Sequence, residues 1–368
     1  MIAVVSCQHF ADDERIYHKQ IQSLLRHNYE VTYFTKDETK LDNHPSLTHN
    51  CFKKDIPTKS YILQVCDVLR SLPNLTHVHI HEPELLPVLK WVKQNIKTVK
   101  THYDVHEHMP SLYRTFSKRM KPIKELAVFL RKRFERVHLP FVDHVILANP
   151  SFSTSPYDMS LCGQTVIENF PELKYVNTTL AIEQKPNSII YHGHLGPERG
   201  IQDLVLCFSK VLNQFPDASC TLVGTFRTSQ FEKEVTHLIQ KLNLEENITI
   251  KFQIPHDEIW EELMKHEVGI IPFQQNPLTK NNVPTKLFEM MSAGLSIVAT
   301  RVKPIQHYVS DSVFWANPNH PKSLSGAIID SLKSSKSKSM IIENQMLIQS
   351  QYNWSQKENT FLSLFESI

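Results

Sequence analysis

Three of the chain's eight glycines fall close together in the run Ser188-Ile189-Ile190-Tyr191-His192-Gly193-His194-Leu195-Gly196-Pro197-Glu198-Arg199-Gly200, and none precedes Gly163. Glycines at the end of an apolar run let the backbone approach a ligand, and a helix starting there offers free N–H groups and the positive end of its dipole. Arg199 adds a planar cationic fork suited to a diphosphate. The chemistry on offer is anion binding. An ordinary strand-to-helix turn with a solvated arginine is the alternative, because glycine-rich turns are common.

The run Asn281-Asn282-Val283-Pro284-Thr285-Lys286-Leu287-Phe288-Glu289-Met290-Met291-Ser292-Ala293-Gly294 is more specific. Pro284 suits the first helical position, where a missing N–H costs nothing. The preceding Asn281, Asn282 and Val283 are expected to expose successive backbone amides, a second anion seat. Lys286 lies in the first turn, where a cation is disfavoured unless an anion sits there too. Glu289 is surrounded by apolar residues, and a carboxylate buried in such a helix needs a partner. Two ribose hydroxyls would supply one; a solvent-facing glutamate or a pairing with a nearby lysine is the alternative. Gly294 allows close packing before the apolar run Leu295–Ala299.

Histidines dominate the first half. His77-Val78-His79-Ile80-His81-Glu82-Pro83-Glu84 places three imidazoles on one face of a strand. Tyr103-Asp104-Val105-His106-Glu107-His108-Met109-Pro110 follows. His-x-His on a strand can ligate zinc, but the chain has no His-Glu-x-x-His, no Asp-x-Asp and no obvious completing carboxylates. No metal is therefore assigned. His77, His79 and His108 read as polar strand edges and loop residues. Near the N-terminus, Gln8-His9-Phe10-Ala11-Asp12-Asp13-Glu14-Arg15-Ile16 follows an apolar run, and Asp12 or Asp13 there would cap a helix.

These residues need a frame, and short β-rich runs alternating with helical patterns supply it. Strands are expected at 2–5, 30–34, 76–81, 98–102 and 143–147, with helices such as 14–26 and 84–93 between them. The second half should carry strands at 188–192, 218–223, 248–252, 268–272, 296–299 and 313–316. The polar, proline-bounded segment 172–186 reads as a linker. It would separate an N-terminal domain, 1–171, from a C-terminal domain, 187–350, with a final helix over 351–368 packing back towards the first. The fold class is α/β: two Rossmann-like domains facing each other across a cleft, with chemistry in the loops after the strands.

A chain of 368 residues is too long for one comfortable core and suits two such domains. A net charge of +2 gives no reason to expect nucleic acid. The six cysteines are scattered without a Cys-x-x-Cys pair, which suits a reducing compartment. No basic start precedes an apolar signal core, and no apolar stretch approaches the ~20 residues that span a bilayer. The expected location is cytoplasmic.

The pattern P-x-K-L-F-E-x-M-x-A-G-x-x-I-V-A at Pro284–Ala299, following G-x-L-x-x-x-R-G at Gly193–Gly200, resembles the retaining glycosyltransferases of family 4. That resemblance covers most of the chain and implies the GT-B architecture. It implies that Glu289 holds a donor ribose and that Arg199, with Lys286, holds the diphosphate. Gly224 in Val223-Gly224, and Ile254 in Gln253-Ile254-Pro255, then match loops that flank the nucleobase. Gly193, His194, Gly196, Asn281, Asn282, Val283 and Pro284 complete the donor set. Two positions depart from the family pattern: Asn281 stands where a first glutamate is usual, and His194 where an arginine is. His81-Glu82-Pro83-Glu84 and Asp104-Val105-His106-Glu107 also resemble a branch of this family. By that likeness His106 contacts the transferred sugar, and His81, Glu82 and Glu107 lie on the acceptor side. Asp12 and Arg15 are further acceptor-side candidates, in a stretch that resembles the family's first loop without its glycines.

The function implied is retaining, metal-independent transfer of a hexosyl-type group from a nucleoside diphosphate sugar, expected to be UDP-linked, to an acceptor hydroxyl. The acceptor would be a glycan, a lipid-linked sugar or a polymer in cell-surface polysaccharide or glycoconjugate synthesis, with no cofactor beyond the donor. A nucleotide-sugar epimerase or phosphorylase on the same fold, and a non-catalytic sugar-nucleotide binder, are the rivals. Between Lys118 and Arg136 stand eight basic and two acidic residues, interleaved with Leu126, Val128, Phe129, Leu130 and Phe134. This segment suits the anionic inner face of a membrane or a lipid-phosphate acceptor. A charged helix packed on the sheet is the alternative; nucleic acid is not expected, since no nucleic-acid module accompanies it.

Overall fold

The computed structural model describes residues 1–106, 108–150, 162–176, 184–252, 254 and 256–366. The chain forms two compact units. Unit 1 comprises Met1–Asn169 and Ser355–Ile368, and unit 2 comprises Phe170–Trp354. The passage from one to the other thus falls at Asn169, just before the expected linker, part of which (177–183) lies outside the described residues.

Among the described residues, unit 1 is built on a seven-stranded, wholly parallel sheet. Its strands are β1 (Ile2–Val5), β2 (Val31–Thr35), β3 (Leu47–Cys51), β4 (His77–Ile80), β5 (Lys100–Val105), β6 (His144–Leu147) and β7 (Gly163–Val166). They lie in the order β3-β2-β1-β4-β5-β6-β7. Unit 2 carries a six-stranded parallel sheet of β8 (Ser188–His192), β9 (Ser219–Val223), β10 (Ile248–Lys251), β11 (Val268–Ile271), β12 (Ser296–Thr300) and β13 (Phe314–Ala316). Its order is β10-β9-β8-β11-β12-β13. Both are doubly wound arrangements in which the order reverses beside the first strand, and ligands bind beyond the carboxyl ends at that reversal.

Unit 2 follows the usual rule for sheets covered on both faces: the middles of β8, β11 and β12 are apolar, and those side chains enter one core. Unit 1 breaks that rule at its centre. Val78, Ile80, Tyr103 and Val105 join the apolar core on one face. The alternate residues His77, His79, His102 and Asp104 are just as deeply buried on the other. Phe361 and Phe365, from the C-terminal stretch of unit 1, cap this polar layer; Phe365 lies 4.8 Å from the His102 ring and 5.3 Å from that of His77. His77 and His79 are therefore not edge residues, as their polarity suggests, but sit in a central strand flanked by β1 and β5.

The helix expected over 14–26 is present, opening as a π-helix over Glu14–Ile21 and continuing as an α-helix over Gln22–Arg26. Asp13 caps it, accepting from the amides of Arg15 and Ile16 at 2.9 and 3.0 Å. Helix Thr285–Ser292 begins one residue after Pro284, which serves as the cap.

Candidate functional site

In unit 2 the chain turns sharply after β8. Gly193 adopts φ +104°, open to glycine and strained for other residues, and a Cβ there would lie 2.9 Å from the Lys286 ammonium. Gly224, at the end of β9, comes so close that a Cβ would meet the Gly193 carbonyl oxygen at 1.9 Å. Gly200 is pressed against the Pro272 carbonyl after β11 in the same way. The glycines thus draw the ends of β8, β9 and β11 together at the reversal of strand order.

Lys286 reaches into this pocket from its helix. Its ammonium donates to the His192 carbonyl and sits 3.9 Å from the centre of the Tyr191 ring, with Phe273 beyond at 5.4 Å. Burial, and then the nearby Arg199 charge, hold its pKa well below the ordinary lysine value. Arg199 stacks its guanidinium 4.7 Å from Phe273, and its Nε lies 3.4 Å from Glu198. Glu198 also pairs with Arg227 at 2.6 Å. Three cations therefore converge here against two carboxylates, Glu198 and Glu289.

Glu289 is nearly buried, with a partner that sequence reasoning missed: His192 Nε2 lies 3.1 Å from its carboxylate. The signal was a polar residue ending an otherwise apolar strand immediately before the glycine turn. His194 is exposed, and its carbonyl accepts from the Tyr191 hydroxyl at 2.8 Å. A Cβ on Gly196 would meet the Glu198 carboxylate, so that glycine lets Glu198 fold back over the loop. Ile254 packs partly buried on the core of unit 2, while Gln253 and Pro255 lie outside the described residues. Phe226 and the exposed Phe252 stand nearby, 6.3 Å apart, as aromatic surfaces not singled out from sequence.

One expectation fails. The amides of Asn281 and Asn282 do not form an open anion seat, because both donate to the Leu278 carbonyl, at 3.1 and 3.0 Å. The Asn281 side chain also donates locally, to Pro277. Turn closure within Leu278–Asn282 uses the backbone groups that the asparagine run seemed to offer. Val283 is half-buried against the core and Pro284 is buried.

Unit 1 brings a different set together. His81 follows β4 and His106 follows β5, and their rings meet with Nδ1 and Nε2 2.9 Å apart. Asp104 stands behind both, at 3.7 and 3.4 Å. Burial works against its charge, but Arg15 and then His106 hold the Asp104 carboxyl well below the usual range. Arg15 reaches Asp104 through Nε and Nη2, at 2.9 and 2.8 Å, and donates to the Ile167 carbonyl. The guanidinium is thus committed to the interior and does not face outward, as an acceptor-side role requires. Asp12 is exposed, and Glu107 lies outside the described residues.

Glu82 is buried at the reversal of strand order in unit 1. It accepts from the Ser6 hydroxyl at 2.7 Å, from the Cys7 and Gln8 amides at 3.1 and 2.9 Å, and lies 2.9 Å from His9 Nδ1. Burial opposes its ionisation, yet the His9, Ser6 and Gln8 contacts hold its pKa below the usual carboxylate value. Among the described residues, His79, His81 and Asp104 bring potential metal-ligand atoms within 4.8 Å of one another. Asp104 is already neutralised by Arg15 and bonded by Gln20 at 2.6 Å, and His79 also bonds Gln20, at 3.0 Å. The cluster reads as a hydrogen-bonded network.

Two doubly wound parallel sheets in one chain, with their functional loops at the strand ends, define a protein of the GT-B fold. Residues 177–346, within unit 2, match the family of glycosyl transferases group 1. Among solved structures, the chain is similar to sucrose-phosphate synthase from Thermosynechococcus elongatus, with a TM-score of 0.76 and 17% identity over 99% of this chain and 98% of the other. Anabaena HepE in complex with UDP-glucose gives a TM-score of 0.76 and 14% identity, over 100% and 99%. A glycosyltransferase from Rickettsia africae gives 0.69 and 13%, over 99% and 97%. No curated protein matches the chain by sequence.

Proposed function

We propose that the chain is a retaining glycosyltransferase of the family 4 type, moving a sugar from a nucleoside diphosphate sugar to an acceptor hydroxyl. The observation that carries this reading is the unit 2 pocket, where Lys286 and Arg199 converge beside Gly193 with the Glu289–His192 pair alongside. Fixed cations in a partly dry pocket stabilise the charge that builds on a departing diphosphate, an electrostatic task that requires no proton donor. Glu289, nearly buried, can accept from two ribose hydroxyls once a donor arrives. The likeness to a fold solved with UDP-glucose supports a UDP-linked donor.

His106 is the group proposed for a hydroxyl of the transferred sugar, held in place by His81 and Asp104. Asn281 and His194 are proposed for sugar or phosphate oxygens by side chain and exposed loop. Acceptors are proposed to be glycans, lipid-linked sugars or polymers of cell-surface glycoconjugates. All six cysteines are free thiols, which supports work in a reducing, cytoplasmic setting. The test is a panel of nucleotide sugars in a thermal-shift assay, followed by detection of nucleoside diphosphate release with and without acceptors. Release that depends on an acceptor supports transfer. Interconversion of sugars without an acceptor identifies an epimerase, and binding without turnover identifies a degenerate binder.

A further inference from the structure

The helix Lys121–His138 carries an apolar face that no described residue covers. It meets the rest of unit 1 through Val128 and Glu135, which are buried and lie on one side two turns apart. On the opposite side Ile123, Leu126, Leu130, Phe134 and Val137 follow one another at helical spacing, with Met120 just ahead of the helix and Phe129 at the margin. All are exposed, Leu126 by 57%, Leu130 by 54% and Val137 by 55%. A soluble surface helix places its apolar stripe inward; this one displays it.

The flanks of that stripe are cationic. Lys124 and Arg131 lie along one side of it and Arg133 and Arg136 along the other, with Lys118 and Arg119 just before the helix; the helix's two carboxylates are Glu125 and Glu135. Glu135 is buried, and the partly exposed Glu125 is paired with Arg114 at 2.6 and 2.9 Å. Arg131 pairs with Glu84 at 3.1 Å, anchoring the helix to the loop after β4. A groove of about 390 Å³ lined by Pro83, Glu84, Leu130, Arg131 and Phe134 runs along this junction. No helix among the described residues is long and apolar enough to cross a membrane. A stripe of large apolar side chains with cations on its flanks instead suits a helix lying in the plane of a bilayer surface.

We propose that this face docks unit 1 on an anionic lipid bilayer, the apolar stripe entering the acyl boundary while the flanking cations meet phosphate headgroups. The choice of a membrane over a protein partner rests on charge: one sign flanks the whole stripe, complementary to a uniformly anionic plane. The inference does not depend on the sugar-transfer reading.

The test is co-sedimentation of the full chain with vesicles of phosphatidylcholine alone or with added phosphatidylglycerol, at low and high salt. Two variants accompany it, Arg133→Glu/Arg136→Glu and Leu126→Ser/Leu130→Ser/Phe134→Ser. Every substituted side chain is half-buried or exposed and lies outside the proposed donor pocket, so circular dichroism and donor binding serve as controls on folding. Wild type should pellet with anionic vesicles and be released by salt, because surface charges are screened beyond about 8 Å at physiological ionic strength. Charge reversal should lower partitioning roughly a hundredfold, and the serine variant should lose binding even at low salt. The proposal is overturned if wild type fails to pellet, if it binds phosphatidylcholine equally well, or if both variants bind like wild type. A dimer in light scattering that dissolves in the serine variant, without vesicle binding in wild type, would assign the face to a second copy instead.

Discussion

Lowering the pH from 7.5 to 5 should loosen the centre of unit 1. His77 and His79 project from central strand β4 into the layer sealed by Phe361 and Phe365. Burial first of all lowers both from 6.5 to about 4; the N-terminal ammonium and Lys100 push His77 the same way, while Asp104 opposes the shift at His79. The unfolded chain takes up protons on these rings near pH 6.5, whereas the folded chain withholds them until about pH 4. Their contribution is therefore complete above pH 6.5 and is lost as the pH falls towards 4. At 1.36 kcal/mol per pKa unit, each withheld proton costs about 2 kcal/mol at pH 5, and the pair about 4 kcal/mol. That is a large share of a stability of roughly 5–15 kcal/mol. His81 and His102, also pushed down by burial, add to the loss. Asp104, held low in the folded state, stays ionised through this window and changes it little.

The assay is amide hydrogen exchange of β4 and β5, corrected for the intrinsic effect of pH. Protection should fall about a thousandfold between pH 7.5 and 5. His79→Leu removes one of the titrating rings and should shrink that fall by roughly thirtyfold, at the cost of leaving the Gln20 side chain without its His79 partner. Protection that is equal at both pH values, or that falls identically in the variant, would show that the histidine layer is not what resists acid.

Three further outcomes follow from the unit 2 pocket. Glu289→Ala should weaken nucleotide-sugar binding by about 1.5–3 kcal/mol, the scale of hydrogen bonds to a charged group, without unfolding the protein; unchanged affinity in calorimetry would remove the ribose assignment. Turnover should survive EDTA, since Lys286 and Arg199 are placed to take the leaving group's charge; complete loss restored by manganese or magnesium would refute that. Because burial and Arg199 weaken the hold of Lys286 on its proton, an arriving diphosphate should strengthen it. Calorimetry in buffers of different ionisation heat should then show proton uptake that grows with pH and vanishes in Lys286→Met. Absence of uptake at every pH would place the diphosphate elsewhere.

Two strands of unit 2 were the most legible, because Ile189–Tyr191 and Val268–Ile271 are apolar runs closed within two residues by Gly193 and Pro272. Two strands of unit 1 were not: β3 (Leu-Thr-His-Asn-Cys) and β7 (Gly-Gln-Thr-Val) lie at the sheet's two edges and carry the polarity of exposed loops. Strand β5 was expected to end at His102 but runs to Val105. A charged Asp104 inside a strand reads as a loop, and the arginine that makes its burial tolerable lies 89 residues away. The same limit hid the pairing of Glu289 with His192. Residue types announced that a partner was needed, while only the fold could say which one had been brought near.

The two sheets share a strand order, yet their reversal points have opposite electrical character, and this bears on which half is proposed to hold a phosphate. In a doubly wound sheet the first turn after the first strand offers backbone amides to an anion. In unit 1 the Cys7 and Gln8 amides and the Ser6 hydroxyl are already bonded to the buried carboxylate of Glu82. A side chain of the protein thus fills the anion's place, and a second anion would meet both lost donors and a like charge. In unit 2 the corresponding turn carries Gly193, with the Lys286 ammonium beneath it and Arg199 on the same loop. No carboxylate donated by β11 closes that position; its strand end carries Pro272 and Phe273 instead. This contrast supports the proposal that a nucleotide is held by unit 2. In unit 1 the same position is filled from within by Glu82, which leaves the His81–His106 pair after β4 and β5 as the groups proposed to meet a sugar.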